Sequence, residues 1–148
     1  MAIATIKWAN GAARIIDQTK LPGKVVYINC RDVDTMWHAI KRLSVRGAPA
    51  IGVAAAFGVL LGVQKFNAST RPRARSAQGA DRRRFLKLFD NTCAYLATSR
   101  PTAVNLFNML DRMKVVVTCH PSASVEQLKK ALHQEAMAIF REDQVVCR

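Results

Sequence analysis

The chain of 148 residues is half hydrophobic and carries 23 lysines and arginines against 10 acidic residues, for a net charge of +13. A chain of this size and composition is one domain able to bury roughly 70% of the surface its unfolded form exposes, which excludes a disordered or collagen-like protein. The longest apolar run, residues 48–63, is broken by Gly52, Gly58 and Gly62 and falls short of the ~20 residues needed to span a bilayer. The N-terminus lacks a signal-peptide pattern, so the expectation is a cytoplasmic protein with no membrane association.

The first thirty residues alternate in polarity. Ile3, Thr5 and Lys7 lead to Trp8, Asn10-Gly11 reads as a hairpin turn, and Ala13 to Asp17 follows as the returning strand. Lys20-Leu21-Pro22-Gly23 is a second turn, and Val25-Val26-Tyr27-Ile28 a third short strand. From Asp32, a candidate N-cap, the period becomes helical through Val33, Met36, Trp37, Ile40 and Leu43. The run that follows Arg46-Gly47-Ala48-Pro49 is apolar on every face, which is the pattern of a central buried helix.

Between Arg71 and Lys87 stand seven basic residues and one acid, Asp81. With Pro, Gly, Ser and Ala but no aromatic before Phe85, residues 71–84 read as a solvated loop, mobile and dispensable. Clustered arginines could grip a phosphate backbone by counterion release. No helix-turn-helix, RNA-recognition or zinc-finger pattern accompanies them, which speaks against a nucleic-acid partner. Phe85, Leu88, Phe89, Thr92, Cys93 and Leu96 then mark an amphipathic helix, and Ala103, Leu106, Phe107, Leu110 and Met113 the next. Ser124-Val125-Glu126-Gln127 is a capping box opening a last helix with Leu128, Leu132, Ala136, Ile139 and Phe140 on one face. The expected fold is α+β and mostly helical: a small three-stranded antiparallel sheet followed by a bundle of about five helices.

Cys30, Cys93, Cys119 and Cys147 form no CxxC or CxxH pair, so neither a metal site nor a redox dithiol is signalled, and buried apolar filler is expected of at least three of them. His38 and His133 read as surface residues on polar helix faces. The chemistry points instead to two arginines before helix starts. At Arg46-Gly47-Ala48-Pro49, small residues leave the backbone bare and proline suits the first helical turn, so free N–H groups point outward beside a guanidinium. Ser99-Arg100-Pro101-Thr102 repeats the arrangement. Taken singly, each is also what an ordinary capped helix looks like. Two of them flanking the most buried helix suggest an anion or phosphate site.

The stretch Val45-Arg46-Gly47-Ala48-Pro49-Ala50-Ile51-Gly52-Val53-Ala54-Ala55-Ala56-Phe57-Gly58 closely resembles the signature of the methylthioribose-1-phosphate isomerases, as does Thr98-Ser99-Arg100-Pro101-Thr102-Ala103-Val104-Asn105-Leu106-Phe107. Ile6-Lys7-Trp8, Leu21-Pro22 and Val26-Tyr27 are similar to it in order and spacing. The regulatory subunits of translation initiation factor 2B and the ribose-1,5-bisphosphate isomerases share the same plan. The resemblance implies an aldose–ketose isomerase of methionine salvage, a route of methionine and amino-acid biosynthesis. Such an enzyme converts 5-methylthioribose 1-phosphate to 5-methylthioribulose 1-phosphate without metal or organic cofactor. It implies substrate contacts from Arg46, Gly47, Ala48 and Arg100. It also implies that residues 1–148 are an N-terminal domain whose Rossmann-like C-terminal partner domain, with the catalytic cysteine and aspartate, is absent. No catalytic residue is then expected in this chain, which would be inactive alone, and an apolar face toward the absent domain should lie exposed. Family members pair as homodimers, largely through that domain. The other readings are a noncatalytic initiation-factor-type regulatory domain and a basic nucleic-acid-binding module.

Overall fold

The computed structural model describes residues 6–9, 11–17, 23–24, 26–42, 48–64, 66, 75–121 and 123–146. Strands β1 (Ile6–Ala9) and β2 (Ala12–Ile16) pair antiparallel, with Ala9 opposite Ala12. Gly11 has φ of +74°, which a residue with a side chain rarely adopts. Strand β3 (Tyr27–Cys30) runs antiparallel to β2. It starts and ends two residues later than the expected Val25–Ile28. The reason is register: Cys30 lies opposite Ala13 and Ile28 opposite Ile15, so the inward-facing alternation runs on to Cys30. On the outer face the Arg14 guanidinium stands 4.0 Å above the Tyr27 ring.

Five helices follow among the described residues: α1 (Val33–Lys41), α2 (Ala48–Val63), α3 (Arg75–Ala97), α4 (Val104–Thr118) and α5 (Val125–Val146). The domain is thus mostly helical with a small antiparallel sheet ahead of the helices. Asp32 caps α1 as expected, its carboxylate accepting from the Thr35 N–H at 2.7 Å and the Thr35 hydroxyl at 2.8 Å. The capping box at α5 is reciprocal: the Ser124 N–H donates to Gln127 Oε1 at 2.9 Å and the Gln127 N–H to Ser124 Oγ at 3.2 Å. Helix α2 is the axis of the domain. It is buried without interruption from Ile51 to Leu61 and packs against β1, β2 and the other four helices. Leu128, Leu132, Ala136 and Ile139 of α5 and Leu106, Leu110 and Met113 of α4 complete the core.

Two expectations are corrected. Residues 75–84 are not loop but the opening of α3. Asp81 is 2% exposed and ion-pairs with Arg84 one turn on. The Arg82 side chain donates through Nε to the Ala123 carbonyl at 3.0 Å and through Nη2 to the His120 carbonyl at 2.8 Å. Arginine is a good helix former, and Arg82 satisfies carbonyls in the α4–α5 connection, so the helix is anchored there rather than solvated throughout. Residues 71–74 lie outside the described residues. Phe107, placed on the inner face of α4 from its spacing, is 37% exposed, because Leu106, Leu110 and Met113 set the buried face and turn Phe107 about 100° from Leu106. Val104 and Val115, at 70% and 57%, are also exposed on α4.

No helix among the described residues is long and apolar enough to cross a membrane. None of their His, Cys, Asp and Glu side chains form a group of three or more that could hold a metal ion. His38 and His133 are exposed.

Candidate anion site at two helix starts

Arg46 and Gly47 lie outside the described residues, and Ala48 is the first residue of α2. Arg100 is half-buried in the connection between α3 and α4. That connection is a tight turn: the Ala103 N–H donates to the Arg100 carbonyl at 3.0 Å, with Pro101 and Thr102 exposed at its tip. Proline sits at the second turn position, where its fixed φ fits. Ser99 is buried, and both its N–H and its hydroxyl are spent on the Leu96 carbonyl, at 3.0 and 2.6 Å. The N-cap of α4 is Ala103, which offers no side-chain acceptor. An α-helix start without such a cap leaves N–H donors and the positive end of its dipole for another partner.

The two helix starts meet through Gly52. A Cβ built there would lie 3.5 Å from the Asn105 carbonyl oxygen and 2.7 Å from Met109 Cγ. Helices α2 and α4 therefore cross about one turn in from each N-terminus, which is possible only because α2 has no side chain at that point. The Ser99–Ala103 turn and the opening of α2 stand at the same end of the bundle. Sequence spacing alone did not single out Gly52 and Asn105 as the contact that joins the two motifs.

One hollow of the described residues lies far from this end. Trp8, Leu60, Val63, Gln64, Glu126, Lys129, Lys130 and His133 line a hollow at the C-terminal end of α2. Leu60 is twelve residues after Ala48, or about 18 Å along the helix. Lys129 is tied to the carbonyls of Gln64 and Phe66, and the edge of the His133 ring meets Trp8 with centroids 6.2 Å apart.

The two buried thiols are poor candidates for proton transfer. Burial, assisted by Asp32, pushes the Cys30 thiol up to about 12, and burial likewise pushes Cys93 to about 12. Cys119 is exposed, the one exception the filler expectation allows, and Cys147 lies outside the described residues. The raised thiols imply a pH dependence. The unfolded chain releases these protons from about pH 9, before the folded chain does, so folding stability should fall as pH rises from 9 toward 12. The slope is at most ~1.4 kcal/mol per pH unit for each thiol. Urea unfolding at pH 8.5, 9.5 and 10.5 should show the loss, and a Cys30→Ala, Cys93→Ala variant should show a flatter one. Parallel slopes for the two proteins would place the alkaline sensitivity elsewhere.

Residues 44–148 match the initiation factor 2 subunit family. The chain belongs to that family. The 5-deoxyribose 1-phosphate isomerase of Bacillus thuringiensis (strain Al Hakam) is 47% identical over 143 residues, covering 97% of this chain and 38% of the relative. The 5-methylthioribose 1-phosphate isomerase of Pyrococcus horikoshii OT3 superposes with a TM-score of 0.80 at 34% identity, over 93% of this chain and 36% of that one. The translation initiation factor eIF-2B, subunit delta, of A. fulgidus superposes with a TM-score of 0.75 at 35% identity, over 95% and 37%. The chain spans a little over a third of the length of these relatives.

Proposed function

We propose that this chain is the phosphate-holding part of a sugar-phosphate isomerase of methionine salvage, acting on 5-methylthioribose 1-phosphate. The reaction moves hydrogen from C2 to C1 as the ring opens, so that the C2 alcohol becomes the ketone of 5-methylthioribulose 1-phosphate with no atom gained or lost. The observation that carries the reading is the Gly52–Asn105 crossing, which sets the turn bearing Arg100 at the same end as the start of α2. Arg46, Gly47 and Ala48 would add their donors to those of Arg100 around a single phosphate. The substrates in the names of the two isomerase relatives share the pentose 1-phosphate and differ at C5, so an anion site of this kind suits either. The buried Cys30 and Cys93 thiols stay protonated at neutral pH, so under this reading neither of them moves the proton.

Calorimetric titration with inorganic phosphate and with 5-methylthioribose 1-phosphate tests the reading. Arg100→Ala should weaken binding about ten- to a hundredfold, the value of a charge-assisted bidentate contact. Arg100→Lys should recover little, because an ammonium lacks the fork. Arg46→Ala with Arg100→Ala should lose less than the sum of the single losses if both grip one ligand. Equal binding by wild type and Arg100→Ala would sink the site. The similarity to an initiation-factor subunit supports a second reading, a regulatory domain without isomerase substrate. Under that reading neither ligand binds and both variants behave as wild type.

A further inference from the structure

Helix α1 grips the end of α3 at three points. The Trp37 ring stacks on Tyr95 with centroids 5.5 Å apart and planes 11° from parallel. Asp34 acts on the Tyr95 phenol, making it hold its proton more tightly than usual. The Trp37 indole N–H donates to Thr98 Oγ1 at 2.9 Å, across 61 residues of sequence. Thr98 in turn donates its hydroxyl proton to the Tyr95 carbonyl at 2.6 Å. The indole bond therefore ends on a hydroxyl whose hydrogen is already committed, so donor and acceptor roles in the chain from Trp37 to Thr98 to Tyr95 are settled.

Thr98 stands two residues before Arg100. Ser99 between them is fastened to Leu96, and the Arg100 carbonyl is fastened by Ala103. Trp37 thus reaches from a separate helix to the only stretch of backbone that leads into the Arg100 turn from α3. Helix α1 ends at Lys41, and its C-cap Arg42 stands four residues before Arg46 in the chain. One short helix is bonded to the approach to one arginine and runs in sequence toward the other.

We propose that Trp37 and Thr98 are positioning residues for the anion site, with α1 acting as the strut that sets where Arg100 stands. This rests on the proposed phosphate-holding role of Arg100. A tether that served only stability would show in melting and not in affinity. One that places a guanidinium shows in affinity, because a bidentate contact tolerates little displacement.

The test uses the 148-residue chain with inorganic phosphate as the probe. Thr98→Val keeps the shape of the side chain and removes the acceptor. Trp37→Phe keeps a ring on Tyr95 and removes the donor. Each should weaken phosphate binding about threefold to tenfold, the value of one neutral hydrogen bond. The double variant should be no weaker than the worse single, since both remove the same bond. Thr98→Ser, which keeps the hydroxyl, should bind as wild type. Melting temperatures should stay within a few degrees across the set. Unchanged affinity in Thr98→Val, or a double variant that loses the product of the two singles, would overturn the proposal.

Amide hydrogen exchange separates this from failure of the anion reading. Should the wild-type chain bind no phosphate, the anion reading falls, and the strut is judged by exchange at Ala103, whose N–H closes the Arg100 turn. Faster exchange there in Thr98→Val and Trp37→Phe, restored in Thr98→Ser, supports the strut. Exchange equal to wild type overturns it.

Discussion

Replacing Phe57 by alanine should cost the domain about 3–5 kcal/mol. The side chain is fully buried at the middle of α2, with its ring 5.4 Å from that of Trp8 and 5.8 Å from that of Phe140. Sheet, central helix and last helix meet on this one ring, so none can move into the space it leaves without losing contact with another. The cost adds the lost transfer energy of the ring to that of an unfilled cavity. Against a total stability of ~5–15 kcal/mol, this is enough to bring a marginal domain close to unfolding. A drop of roughly 10 °C or more in melting temperature is expected. Phe57→Leu should lose about half as much, and Val115→Ala on the exposed side of α4 less than ~0.5 kcal/mol. A Phe57→Ala loss no larger than that of Val115→Ala would show that the ring is not enclosed by all three elements.

Gly62→Val is expected to be damaging for the opposite reason, excess volume. A Cβ at Gly62 would lie 2.4 Å from Thr92 Cγ2, 2.7 Å from its Oγ1 and 3.1 Å from its Cβ. Thr92 is buried on α3, and its hydroxyl donates to the Leu88 carbonyl at 2.8 Å. Being branched at Cβ, it cannot turn both its methyl and its hydroxyl away from α2. The helices must separate instead, at the upper part of the ~1–3 kcal/mol typical of overpacking, less the few tenths that valine gains over glycine in a helix. Thr92→Ala removes the two closest atoms. In the Gly62→Val background it should therefore restore much of the loss, although alone it is mildly destabilising. Chemical denaturation of the four proteins gives the coupling directly. Strictly additive losses would mean that α2 and α3 do not approach this closely at Gly62.

The local signals in the sequence were legible because their partners are near in the chain. Asp32 bonds to Thr35 and Ser124 to Gln127, each within one helical turn, so residue type and spacing suffice to find them. The turn at Gly11 follows from the ease with which glycine adopts a φ of +74°. The burial of α2 follows from the lack of any charged residue between Ala48 and Val63. The two arginine motifs and the family were readable in the same way, as contiguous strings.

What sequence spacing left undecided depends on partners far along the chain. Residues 75–84 looked like loop because nothing nearby accounts for so many arginines. Arg82 finds its acceptors 38 and 41 residues away, at His120 and Ala123. Phe107 matched the helical period of α4 but faces outward, because period defines a stripe while its neighbours decide which edge of the stripe is covered. The end of β3 waited on its register against β2. The candidate site divides along the same line. Arg46-Gly47-Ala48 and Arg100 are visible as motifs, but only packing at Gly52 brings the start of α2 beside Asn105, and only the indole of Trp37 ties α1 to Thr98 across 61 residues. Short-range hydrogen bonds and backbone sterics act within a turn and leave their mark on adjacent residues. Helix crossings and long-range hydrogen bonds depend on shape and distance in three dimensions, and they settle only when the core closes.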